Sequence, residues 1–68
     1  IVIWRSPFMQ NRKVLVVDDE MDMRIFISTL LETSGYKAII ANNGEEGIQK
    51  ARKHKPAAII LDVSFGWI

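Results

Sequence analysis

The run Lys13-Val-Leu-Val-Val-Asp-Asp-Glu20 constrains the fold more than any other stretch of the chain. Val14 to Val17 form an unbroken apolar segment that follows a lysine and ends in three carboxylates. A run so short, so rich in β-branched residues and without polar alternation predicts a strand buried on both faces. Open α/β sheets gather their ligands at the carboxyl ends of such strands. Adjacent carboxylates repel one another unless a cation or solvent intervenes, and a hard divalent ion such as Mg2+ prefers oxygen ligands. The same acids also suit the N-terminus of a helix, where negative charge is stabilised. On this run alone, metal binding and helix capping weigh equally.

A second acid shifts the balance. Ala57-Ala-Ile-Ile-Leu-Asp62 is another short apolar run that ends in an aspartate. Between the two runs lie a helical pattern, a strand-like segment and a second helical pattern. The order strand–helix–strand–helix–strand predicts a parallel sheet with crossover helices. In such a sheet the first and third strands can be neighbours, which brings Asp18, Asp19 and Asp62 together at one end.

From about Asn11 to Asp62 the chain resembles the first half of a response-regulator receiver domain. The resemblance rests on KVLVVDDE, on the amphipathic helix ending in SGY, on ANNGEEGIQKA and on IILDV, in that order. It implies an α/β fold: a truncated flavodoxin-like βαβαβ unit with a parallel three-stranded sheet in the order 2-1-3. It implies further that Asp62 accepts a phosphoryl group from a histidine kinase. The implied Mg2+ site takes Asp19 as a direct ligand, Asp18 directly or through water, Asp62 itself, and the backbone carbonyl of Ser64. The chain is then a phosphoacceptor of two-component signalling and not an independent enzyme. No nucleophile triad, P-loop or dinucleotide fingerprint argues otherwise.

Composition sets the remaining bounds. A chain of 68 residues holds one small domain and, with no cysteine, has no disulfide to support it. An apolar content of 49% argues against disorder, and a net charge of +1 gives no electrostatic case for nucleic acid. The bases Lys50, Arg52, Lys53, His54 and Lys55 cluster where the second helix ends, a favourable place for positive charge. His54, without a ligand pattern around it, is expected at the surface. No stretch approaches the ~20 apolar residues of a membrane span. Residues 1–8 are too short for a signal peptide core with a cleavage site. These absences fit a cytoplasmic protein.

The first helix is expected over Asp22–Thr33. Met23, Phe26, Ile27, Leu30 and Leu31 form one apolar stripe facing the sheet, opposite Arg24, Ser28, Thr29 and Glu32. Ile25 falls off the stripe and is expected to be exposed. Gly35 suits a left-handed helix end. The second strand is expected over Tyr36–Ala41. Asn43 with Glu46 three positions on predicts a capped start to the second helix, with Gly44, Gly47, Ile48 and Ala51 toward the sheet. Pro56 stops that helix.

The chain departs from the family at both ends. Residues 1–8 read as an extension, 9–63 as the receiver segment and 64–68 as an unrelated tail. The family's Ser or Thr of strand four and Lys of strand five have no counterpart, and Lys13 and Lys37 lie on the wrong elements to replace the latter. In the 2-1-3 order the third strand becomes an apolar edge, a template for pairing with another chain. Two outcomes follow from the residues: a homodimer or higher homo-oligomer, or a strand from Ile1–Trp4 laid beside the third strand. The chain is thus either a working phosphoacceptor or a self-associating interaction module that no longer signals.

Overall fold

The computed structural model describes residues 1–62. In chain order the elements are β1 (Val2–Arg5), β2 (Lys13–Val17), α1 (Met21–Thr33), β3 (Lys37–Ala41), α2 (Gly44–His54) and β4 (Ala58–Leu61). β2 pairs in parallel with β3 on one side and β4 on the other, so the expected βαβαβ unit is present with its first strand central. The sheet itself is neither three-stranded nor wholly parallel. β1 lies antiparallel along β4, in the register Val2 to Leu61 and Arg5 to Ala58, and the full order is β1-β4-β2-β3. The third strand of the predicted unit, β4, is therefore not an edge. The premise of edge pairing through that strand is removed, and the segment expected to be able to cover it does so within one chain.

β2 is buried because it is central in the sheet and covered on both faces. Val14, Leu15, Val16 and Val17 are all buried, with Leu15, Val17, Ile39 and Ala41 forming the core under α2. Ala51 of α2 and Ile59 and Leu61 of β4 pack against that core.

Each helix is bounded by its own residues. At the end of α1 the Tyr36 amide donates to the Leu31 carbonyl at 2.9 Å and the Gly35 amide to the Glu32 carbonyl at 3.1 Å. This paired closure needs a left-handed residue, and Gly35 supplies it with φ at 88°. Arg12 braces the same turn: its Nε donates to the Gly35 carbonyl at 2.7 Å and its guanidinium lies 4.8 Å from the Tyr36 ring centre. α2 begins as expected, with the Asn43 side chain accepting from the Glu46 amide at 2.9 Å. Glu46 in turn accepts from the Asn42 amide at 2.7 Å. It ends on Lys55 in the left-handed region, followed by Pro56.

The apolar stripe of α1 is turned relative to the expectation. Ile27 and Leu31 are half-buried, but so are Arg24 and Ser28, which were placed on the outer face. Phe26 and Leu30 remain 59% and 52% exposed, and Met23 is exposed as well. α1 packs chiefly over β2 and β3, which buries one side of the stripe and leaves the other exposed. Ile25 is exposed as expected. On α2, Gly44 and Gly47 are buried and Ala51 half-buried, while Ile48 stays exposed.

Candidate functional site

β2 and β4 end side by side, and that adjacency builds the site. Val17 pairs with Leu61, and the Asp62 amide donates to the Val17 carbonyl at 3.1 Å, carrying the ladder one step past β4. Asp18 continues from β2 and its amide donates to the Ala41 carbonyl of β3 at 3.2 Å. The two aspartates are thus fixed by backbone bonds of the sheet.

Asp18 is only 3% exposed, the one charged residue buried among those described. A buried carboxylate requires partners. Its Oδ1 accepts from the Glu20 amide at 2.9 Å, which shapes the turn into α1. Its main-chain carbonyl accepts from Arg24 Nη1 at 2.8 Å, across the first turn of the helix. Asp19 and Glu20 are exposed, and Asp62 is half-buried.

Asp18, Asp19, Glu20 and Asp62 each offer one carboxylate oxygen such that these atoms all lie within 4.8 Å of one another. Opposite ligands of an octahedral ion with bonds of about 2.1 Å stand about 4.2 Å apart, so the spread suits a Mg2+-sized ion after small side-chain adjustment. The donor set is all oxygen and all anionic, the chemistry a hard divalent cation prefers. The residues present therefore fit the ion.

The three aspartates expected to converge do converge. Glu20 is the addition. It serves as the N-cap residue of α1 without a side-chain capping bond, which leaves its carboxylate available to the cluster. Its place in the acidic run was visible; that the turn would fold its side chain back toward Asp62 was not. Ser64 lies outside the described residues. Lys13 and Lys37 face each other across β2 and β3 at the opposite end of the strands from the acids, so neither reaches the site.

His54 sits at that opposite end and is partly exposed, in keeping with the surface position expected. Desolvation, followed by the charges of Lys53, Lys13, Lys37 and Lys50, holds its imidazole below the usual histidine pKa. Among the described residues no helix is long and apolar enough to cross a membrane.

A buried parallel strand ending in two acids, with a third acid delivered by its neighbour, defines a receiver-type site. The chain belongs to the response regulator receiver domain family, whose model matches residues 14–67. It is 49% identical over 53 residues to the alkaline phosphatase synthesis transcriptional regulatory protein PhoP of Bacillus subtilis, covering 78% of this chain and 22% of that protein. It is 38% identical over 55 residues to the polar-differentiation response regulator DivK of Brucella anthropi, covering 81% and 44%. Sporulation initiation phosphotransferase F of Bacillus subtilis is 33% identical over 55 residues, with the same coverage. The chain spans between about a fifth and under a half of the length of these curated relatives. No solved structure matches it significantly.

Proposed function

We propose that this chain is a phosphoacceptor module of two-component signalling, with Asp62 taking a phosphoryl group from a histidine kinase. The observation that carries this reading is the gathering of Asp18, Asp19 and Asp62 at the shared end of β2 and β4. An oxygen of the Asp62 carboxylate would attack the phosphorus of a phosphohistidine. The new P–O bond forms as the P–N bond breaks, the imidazole leaves, and an acyl phosphate remains on Asp62. Asp19 would hold Mg2+ directly and Asp18 directly or through water, with Asp62 and the Ser64 backbone carbonyl completing the set; the bound ion would offset charge on the phosphoryl oxygens. Asp18 also orders the turn through the Glu20 amide, so the exposed Asp19 and Glu20 start from a fixed backbone.

The receiver segment in this reading runs over residues 9–63, between an extension at 1–8 and a tail at 64–68. Its partner is a kinase and not nucleic acid, in keeping with a net charge of +1. Its setting is the cytoplasm. A second reading, an interaction module that no longer signals, is favoured by the exposed apolar strand β1.

The test is intact-mass analysis after exposure to acetyl phosphate with Mg2+, followed by borohydride trapping at the modified residue. A phosphoryl adduct on Asp62 that is absent from Asp62→Asn is the expected result. An unmodified chain that is folded and binds Mg2+ would remove the phosphoacceptor reading and leave the second one.

A further inference from the structure

The two rims of the sheet are treated differently. β3 forms one rim, and side chains close its outward backbone groups. The Ala38 amide donates to Glu32 Oε1 at 3.3 Å, and the Ile40 carbonyl accepts from Lys50 Nζ at 2.6 Å. Charged guards of this kind keep an edge from recruiting another strand. β1 forms the other rim. The Ser6 amide donates to the Ala57 carbonyl at 2.8 Å, so by antiparallel alternation Ser6, Trp4 and Val2 turn their backbone groups toward β4. Ile3 and Arg5 then turn theirs outward, and among the described residues no side chain bonds to them. All residues of β1 are exposed, Ile3 by 62% and Trp4 by 50%.

We propose that β1 is a docking edge for β1 of a second copy of this chain, paired antiparallel about a two-fold axis at Ile3. The outward groups dictate that register: Ile3 meets its own mate, and Arg5 meets Ile1. This register keeps the two arginines from facing each other, as a register centred on Arg5 would have them do, and leaves the Ile1 ammonium opposite Arg5 as the like-charge contact it must tolerate. Trp4 falls opposite Val2 of the other copy, an aromatic and β-branched pair of the kind that stabilises antiparallel strands. Val2 and Trp4 also line an apolar groove of about 170 Å³ between the sheet and α2, with Leu15, Gly47, Ala51 and Ile59 beneath. Pairing joins the two grooves side by side across the axis. A net charge of +1 opposes the approach of two copies only weakly. The occupant is a second copy and not an unrelated strand because the same edge supplies both halves of the match. None of this depends on the phosphoacceptor reading.

The test is sedimentation equilibrium of the full chain over a concentration series, with two variants. A synthetic chain N-methylated at the Ile3 amide keeps every side chain and the inward ladder but loses the central outward donor. The expected result is a monomer–dimer equilibrium for the native chain, weakened on the order of tenfold or more by N-methylation. Ile3→Cys, in a chain that otherwise has no cysteine, should form a disulfide-linked dimer on mild oxidation. A native chain that stays monomeric throughout, or whose association ignores N-methylation, overturns the proposal. Growth to open-ended assemblies overturns it as well, since that reports β1 adding to the β3 rim of the next copy.

Discussion

Asp19 distinguishes the two meanings that acids after a strand can have. If the cluster serves only as helix capping, removing a charge from it costs stability under all conditions. If it is a metal centre, four carboxylates within 4.8 Å repel when no ion is bound. Asp19→Asn should then raise the thermal stability of the ion-free protein by up to about 1 kcal/mol, the scale of exposed charge interactions. It should also weaken Mg2+ binding, and each tenfold loss of affinity removes about 1.4 kcal/mol of ion-linked stabilisation. Thermal melts with EDTA and with Mg2+ read both signs. His54 supplies a separate residue-scale expectation. Its pKa is lowered on folding, so the unfolded chain takes up the proton first as pH falls. Its contribution is intact above the usual histidine pKa of about 6.5 and is lost as pH drops through the lower folded value. The stability difference between the native chain and His54→Gln should therefore change through this window and be flat above it, as urea titrations at several pH values would show. The aspartates were legible because each ends an apolar run, a pattern that survives without three-dimensional information. The role of Glu20 and the depressed His54 were not, since both depend on what neighbouring elements bring close.

At the scale of elements, α2 and β2 approach through Gly47. A Cβ added there would lie 2.9 Å from Val17 Cγ2, a β-branched side chain in the packed core with little freedom to yield. Gly47→Ala gains up to about 1 kcal/mol of helix propensity but meets an overpacking cost of about 1–3 kcal/mol. We expect net destabilisation, measurable as a lower urea midpoint, together with loss of the groove beside Ile48. The small residues of α2 announced this close approach in the sequence. The face of α1 was harder to read. Periodicity identifies which residues align on a helix, but not how wide a surface waits beneath them. With α1 seated chiefly over β2 and β3, the burial centres on Arg24, Ile27, Ser28 and Leu31, and Met23, Phe26 and Leu30 of the predicted stripe are left outside. Arg24 accepts that position because its guanidinium reaches the Asp18 carbonyl.

Across the whole molecule, charge is divided by the direction of the strands. The acids collect where β2 and β4 end, and Lys13, Lys37, Lys53 and His54 collect where the strands begin. Parallel strands make this separation unavoidable once Lys13 and Lys37 open two of them and aspartates follow two of them. The parallel core in its 2-1-3 arrangement was legible from alternating strand and helix signals. The fourth strand was legible only as one of two ways to cover an apolar edge, because an apolar tetrapeptide carries no mark of its partner.

The antiparallel seam between β1 and β4 joins segments from near opposite ends of the described chain. Within the βαβαβ unit β2 pairs with both β3 and β4, whereas β1 pairs with β4 alone, so the seam can form only once β4 has joined the sheet. The seam is then absent from the folding transition state and acts as a latch added on the downhill side. Trp4→Ala should accelerate unfolding and leave the folding rate nearly unchanged in dilute stopped-flow chevrons, where a slowed folding arm would instead place β1 in the nucleus. A strand added ahead of the βαβαβ unit in this way sets how long that unit stays folded without altering how it finds its fold.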